Sequence, residues 1–242
     1  MLLRSSLTCN CDSQKSICGD YEQRHIYKIK VNSIILKEIF NSIPTLTFLG
    51  LNKKNISFNL MMMTNDHKVL LLERTESFYY TKVVKDLKLN KINFNLLESL
   101  YTSEAEKIIN DFCNFIPSFD PKIEKNNKPP KFVRIFPGGH CNYNEKIILT
   151  LLREFKEETS ININIKNLSF NQTCIFKVLI FDLMVKKTFN NFVFPVKINM
   201  SSVEILRNFK ETKHVRNPTF IDISKSSSLF DTFVQVQKAM LL

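Results

Sequence analysis

The segment from Gly139 to Ile161 constrains this chain more than any other, because one stretch carries both a regular apolar stripe and a cluster of acidic side chains. The apolar positions recur at i, i+3, i+4 and i+7, as on one face of a helix: Ile148, Leu151, Leu152 and Phe155. This spacing predicts an amphipathic helix that packs on a core. The acidic residues fall outside the stripe and need another explanation.

Glu154, Glu157 and Glu158 stand at i, i+3 and i+4 and therefore share a second helical face. Like charges at this spacing repel, whereas a divalent cation such as Mg²⁺ or Mn²⁺ prefers such hard oxygen ligands. Alone, the run also fits a solvated acidic face. Preceded by Arg153, by Glu145 and by a glycine turn, it predicts a metal site.

The same residues resemble the Nudix hydrolase signature, G-x5-E-x7-R-E-U-x-E-E-x-G-U, in which U is a bulky aliphatic residue. The matching positions are Gly139, Glu145, Arg153, Glu154, Glu157, Glu158 and Ile161, and Phe155 puts an aromatic at one U position. The resemblance implies a metal-dependent attack of water on a nucleotide-linked diphosphate.

The resemblance also implies a role for each residue. Glu154, Glu157 and Glu158 would be metal ligands, with Glu145 as a further ligand or a buttress. Glu157 or Glu158 would also orient or deprotonate the water, and Arg153 would hold the carboxylates in place. The turn formed by Gly138 and Gly139 would form the phosphate-side loop.

Two positions depart from the family pattern. The late glycine is Ser160, which we expect to take a left-handed conformation at a cost of about 1 kcal/mol. A glutamate that the family places before its last strand is replaced by His214, with Glu211 nearby. Either Glu211 substitutes, or the helix alone suffices, or activity is weakened.

The flanks of the motif, from about residue 56 to 222, look like the poxvirus mRNA-decapping Nudix enzymes, which release m7GDP from capped RNA. That resemblance implies that Phe78 stacks on the methylated base and that Arg74 lies beside it. It places a second stacking aromatic after Asn190 and Asn191, at Phe192 or, if the alignment slips, at Phe194. Taken alone, Phe78 also fits a core aromatic following a strand.

The wider pattern predicts an α+β (α/β/α) Nudix fold, with a mixed sheet around one loop–helix–loop. Residues 1–52 are expected to be an accessory region with a helix at 33–43. Residues 53–242 are expected to be the hydrolase domain, with a helical insertion at about 81–128. A hairpin is predicted from strands at 56–63 and 68–74. Further strands are predicted at 131–136, 173–185, 192–198 and 219–223, with helices at 202–210 and from about 228.

The net charge of +11 and the pI near 9.3 favour a polyanionic partner, although a lysine-rich surface kept for solubility gives the same balance. No apolar run is long enough to span a membrane, and no secretory signal is evident. A cytoplasmic location, in the host cell if the protein is viral, is therefore expected. Zinc binding by Cys9, Cys11, Cys18 and His25 is disfavoured, because the spacing fits no standard ligand pair.

Three functions remain open at this point. The first is a viral mRNA-decapping hydrolase that acts on capped mRNA. The second is a Nudix pyrophosphatase acting on a small nucleotide such as ADP-ribose. The third is a catalytically weakened module that binds capped RNA.

Overall fold

A mixed sheet organises the chain in the computed structural model, which describes residues 11–18, 22–31, 56–91, 96–97, 100, 102–112, 133–183 and 185–241. Seven strands run in the order β1-β2-β8-β9-β3-β4-β10, while β5, β6 and β7 pair with β4, β3 and β9. The strands are β1 Cys11–Cys18, β2 Glu22–Lys30, β3 Ile56–Met63, β4 Lys68–Arg74, β5 Arg134–Ile135, β6 Gly138–Gly139, β7 Leu168–Phe170, β8 Cys174–Asp182, β9 Lys187–Ile198 and β10 Val215–Asp222. The central β3–β9 pair is parallel, and its neighbours are antiparallel, which makes the sheet mixed.

Five helices accompany the sheet in the described part of the chain, together with a 3-10 turn at Ile165–Asn167. They are α1 Phe78–Leu87, α2 Thr102–Phe112, α3 Ile147–Thr159, α4 Ser202–Asn208 and α5 Leu229–Ala239. None of the described helices is both long and apolar enough to cross a membrane.

Alternating side chains of β3 pack into two separate hydrophobic cores, one on each side of the sheet. Phe58 and Leu60 pack with Leu151 and Phe155 of α3 on one side of the sheet. Met61 packs with side chains of α5, including Phe233, on the other side. Because successive residues of a strand point to opposite faces, one strand serves both cores. The result is three layers, helix on sheet on helix, and the expected α/β/α fold is confirmed.

The chain divides into two compact units, residues 1–73 with 134–241, and residues 74–133 with 242. The first unit contains the whole sheet core, and the second contains α1 and α2. The sequence pattern predicts a boundary at residue 52 between an accessory region and the hydrolase domain. The structure instead includes β1 and β2 in the main sheet, where β2 pairs with β8. The helix expected at 33–43 lies outside the described residues.

The predicted hairpin agrees with β3 and β4 at both ends, since the turn residues between them break the apolar pattern. The strand expected at 192–198 begins earlier, at Lys187, because β9 extends along β8 over polar residues. The strand expected at 219–223 begins earlier too, at Val215. The last helix begins after Ser228, whose side chain accepts a hydrogen bond from the backbone N–H of Asp231.

Asp66, in the hairpin turn, fixes the start of α4. Its carboxylate accepts hydrogen bonds from Ser202 N at 2.8 Å and from Ser202 Oγ at 2.6 Å, and it pairs with Lys68 at 3.0 Å. The hydrogen bond from the Ser202 hydroxyl, more than any other contact, holds the pKa of Asp66 well below its usual range. The turn is thereby tied to the helix that precedes β10.

We expect Asp66→Asn to lower the free energy of unfolding at pH 7 by about 1–2 kcal/mol, because a charged acceptor of two hydrogen bonds is lost. A folded-state pKa below the unfolded one stabilises the protein above the unfolded pKa and loses that effect as pH falls. The stability gap between wild type and Asp66→Asn should therefore narrow below about pH 4. Urea unfolding across pH 3–7 measures it, and a gap that is constant with pH would contradict this account.

Candidate functional site

The acidic helix α3 packs through its apolar stripe on the core that contains Phe58 and Leu60. Leu151 and Phe155 are fully buried, and the expected Ile161 packs in the same core after the helix ends. The helix begins after Lys146, which makes no side-chain capping bond. The apolar face fixes the rotation of α3 and turns its carboxylates away from the core.

Arg153 contacts three of the four signature carboxylates, one that precedes α3 and two within it. Its Nε lies 2.8 Å from Glu145 Oε1, and its Nη1 lies 2.7 Å from Glu154 Oε1 and 3.2 Å from Glu157 Oε2. Its Nη2 donates to the backbone oxygen of His140 at 3.0 Å. The planar guanidinium can serve several acceptors at once because its donors point in fixed directions. The structure therefore gathers Glu145, Glu154 and Glu157 around Arg153, whereas Glu158 contacts the glycine turn.

Each of the two glycines of β6 lies close to a carboxylate of α3. Glu158 Oε2 accepts from the backbone N–H of Gly138 at 2.9 Å. A Cβ on Gly139 would stand 2.5 Å from the carboxyl carbon of Glu154. Gly138 has φ of +155°, and a Cβ there would stand 2.6 Å from Asn59 Cα. At Gly138 a Cβ would collide with the backbone of β3, so this position requires glycine, whereas at Gly139 a Cβ would displace the flexible end of the Glu154 side chain.

Glu145 is held by more partners than the motif suggests. Hydrogen bonds from Arg153, first, and from the Asn142 N–H and Thr150 hydroxyl keep the pKa of its carboxyl at about 2. Thr150, fully buried, places its Oγ1 2.9 Å from both Glu145 Oε2 and Cys141 Sγ. Thr150 is not part of the signature and was not predicted as a site residue. Its one signal was a hydroxyl inside an apolar helical face, where a buried polar group needs a partner.

The donors of this site fit a hard divalent cation by residue type. Within the described ranges, no three acidic, histidine or cysteine side chains already form a metal cluster. Glu145, Glu154 and Glu157 are gathered around Arg153, and Glu158 meets the glycine turn. Three carboxylates surround one guanidinium, and Glu158 lies on the same helix, so negative charge remains in excess. Such an excess of carboxylate oxygen is what Mg²⁺ or Mn²⁺ would neutralise.

The segment that follows α4 meets the end of the acidic helix. The backbone N–H of Lys210 donates to Thr159 O at 3.2 Å. His214 is exposed, and its N–H donates to Thr212 Oγ1 at 3.3 Å within the turn that leads to β10. The turn that contains His214, where the resemblance predicts a glutamate in related sequences, is therefore attached to α3, and Glu211 lies one residue beyond the attachment point.

Phe78 and Arg74 contact each other in the second unit. Phe78 is the first residue of α1 and is 54% exposed, which is unusual for a large apolar ring. The Arg74 guanidinium carbon lies 4.0 Å from the ring centroid, and its Nε donates to Glu76 O at 3.1 Å. Phe78 is therefore not the core aromatic that its position after a strand also allowed.

The ring of Phe192 is buried and has no face exposed for stacking on a base. It is 2% exposed, and its ring lies 6.0 Å from that of Phe58 in the core under α3. Phe194 is 3% exposed in the same core. The prediction that Phe192 stacks on a base is contradicted by this burial, and the alternative at Phe194 is contradicted in the same way. Both point toward the helix because β9 is covered on that face.

The N-terminal hairpin of β1 and β2 contains His25 and Cys18 of the disfavoured zinc set. His25 Nδ1 lies 2.8 Å from Ser16 Oγ on the neighbouring strand. Cys18 is an exposed free thiol, and Cys9 lies outside the described residues.

Comparison with known proteins places the chain among viral relatives. Protein 080R of Invertebrate iridescent virus 3, whose name describes an inferred hydrolase, is 44% identical over 225 residues, covering 91% of this chain and 89% of the relative. The mRNA-decapping protein D10 of fowlpox virus (strain NVSL) is 30% identical over 164 residues, covering 67% of this chain and 68% of the relative. An Ap4A hydrolase of C. elegans overlaps 76% of this chain and 98% of its own at 12% identity, but the TM-score of 0.41 is too low to place residues. No family profile matches the chain.

Ser160 ends α3 in the left-handed conformation, with φ of 61° and ψ of 8°. We expect Ser160→Gly to raise the free energy of unfolding by up to about 1 kcal/mol, because glycine adopts this conformation without the steric cost of a Cβ. Ser160→Ala is the matched control, since it loses the hydroxyl and keeps the Cβ. Urea denaturation of both variants measures the effect, and equal stability of the two would contradict the conformational explanation.

Proposed function

Because the chain belongs to the Nudix hydrolase superfamily, in the family of viral proteins that includes 080R and the fowlpox decapping protein, we propose that it hydrolyses the cap of capped mRNA and releases m7GDP. The observation that carries the hydrolase part is the Arg153 cluster. One guanidinium lies within 3.2 Å of carboxylate oxygens from Glu145, Glu154 and Glu157. Such an array positions acidic oxygens on one side of a helix before any substrate arrives.

The chain's own residues divide the work. Arg153 holds Glu145 and Glu154 in fixed orientations through charge-assisted hydrogen bonds. Glu157, with a side chain 57% exposed, is the carboxylate of this cluster most open to water. We assign it, with Glu158, to orienting and deprotonating the attacking water. The Gly138–Gly139 turn keeps the phosphate-side backbone close to the helix.

A divalent cation, Mg²⁺ or Mn²⁺, would be held by Glu154, Glu157 and Glu158 with support from Glu145, and would supply positive charge against the phosphate oxygens. The donor set supports this assignment, because all four residues offer carboxylate oxygens.

Cap recognition is assigned to Phe78 and Arg74. A cationic methylated guanine is recognised by stacking on an aromatic ring, and Phe78 is 54% exposed. Arg74 lies over one face of the ring, so we assign the base to the other face and the guanidinium to the cap phosphates. The net charge of +11 favours the RNA body as the remainder of the substrate. The fowlpox relative's name as a decapping protein supports the same substrate.

We expect Glu157→Gln to lower kcat for m7GDP release roughly a hundredfold or more, because an amide cannot deprotonate water. Lys156→Gln is the matched control, since it changes one charge at an exposed neighbouring position, and it should retain activity. Cap-labelled RNA with Mg²⁺ or Mn²⁺ gives the readout, and chelation by EDTA should abolish release. Unchanged release by Glu157→Gln, or faster turnover of ADP-ribose than of capped RNA, would contradict the proposal.

We expect Phe78→Ala to raise KM for capped RNA roughly 5- to 150-fold with little change in kcat, because stacking on one base contributes about 1–3 kcal/mol. Phe78→Tyr keeps the ring and should stay close to wild type. Steady-state kinetics on cap-labelled RNA measure the difference. If Phe78→Ala and Phe78→Tyr give the same KM as wild type, Phe78 does not bind the cap.

A further inference from the structure

A buried carboxylate from α2 contacts the residue immediately before Phe78. Glu104 is 8% exposed and accepts from Ser77 N at 2.6 Å and from Ser77 Oγ at 2.9 Å. Ser77 caps α1, because its Oγ also accepts from Tyr80 N at 3.0 Å. Glu104 therefore binds the backbone and the side chain of the one residue that sets where α1 begins.

A second contact from α2 reaches the same turn. Lys107, one helical turn after Glu104, pairs with Glu76 at 2.7 Å and lies 4.9 Å from the Tyr80 ring centroid. Both residues before Phe78 are thus tied to one face of α2. These contacts hold the residues that precede Phe78, whereas Phe78 itself is 54% exposed.

The helix start does not need Glu104. Ser77 alone satisfies the N-terminal N–H of Tyr80, which is what an N-cap residue provides. Burying a carboxylate has a desolvation cost that an apolar side chain would avoid. What the carboxylate adds is a fixed orientation for Ser77 and, through it, for the first residue of α1.

We propose that Glu104 is a positioning residue for cap recognition, holding Ser77 so that the Phe78 ring is presented in the orientation that stacks on a methylated guanine. This inference rests on the proposed function. Glu104 acts through Phe78 and touches no reacting atom. Its removal should therefore weaken substrate binding and leave the chemical step unchanged.

The test compares Glu104→Met, which keeps the length of the side chain and loses both acceptors, with Glu104→Gln, which can still accept from Ser77 N–H. For the full chain on cap-labelled RNA, we expect Glu104→Met to raise KM about 5- to 10-fold at unchanged kcat. Glu104→Gln should restore most of the affinity. Glu106→Gln, an equal charge change at an exposed position two residues along α2, should match wild type.

A double-mutant cycle separates positioning from a general loss of stability. In the Phe78→Ala background, Glu104→Met should change KM less than twofold, because the ring through which it acts is gone. Thermal unfolding of each variant is followed to keep the assay below its transition. If Glu104→Met melts too low, Glu104→Asp, which withdraws the carboxylate by one methylene, takes its place with the same expected KM change.

Three results would overturn the inference: an unchanged KM, an equal effect of Glu104→Met with and without Phe78, or a fall in kcat at constant KM. If Phe78→Ala raises KM while Glu104→Met has a normal KM, the positioning role of Glu104 is rejected and the proposed function still stands. Absence of m7GDP release by the wild type would instead remove the proposed function, and this inference with it.

Discussion

The guanidinium of Arg153 is the interaction on which the candidate site depends. Without it, the acidic residues of α3 and Glu145 would be like charges crowded into one short region, and they would repel each other. Arg153 reverses the sign of that interaction and ties the helix to the loop through the backbone oxygen of His140. The glycine turn completes the arrangement, because the Glu154 carboxylate occupies the space that a Cβ at position 139 would need, and Glu158 accepts a hydrogen bond from the Gly138 N–H.

The parts of the fold that sequence could predict are those governed by local spacing. The apolar stripe of α3, the β3–β4 hairpin and the left-handed Ser160 all follow from short-range periodicity or from a single special position. The strands β1 and β2 were missed, because their polar and apolar residues do not show which distant strand they join. That partner is β8, far along the chain.

The candidate site shows the same limit. The residues of one helix could be grouped from their spacing, whereas Phe192 could not be placed, because β9 carries phenylalanines whose burial depends on which helix covers each face. Thr150 and Glu104 escaped notice for a related reason. Each acts through a contact made in the folded structure, and Glu104 reaches across to Ser77 from a separate helix.

The strand order also affects how the chain folds during synthesis. Glu22 of β2 pairs with Asp182 of β8, and Ile56 of β3 pairs in parallel with Asn190 of β9. These two pairings can therefore form only after β8 and β9 have been synthesised, far along the chain from β2 and β3. Topologies built on such distant pairings fold slowly and leave strand edges open to other chains meanwhile. For this protein, the edges of β2 and β3 that later pair with β8 and β9 are open to other chains until those two strands have emerged.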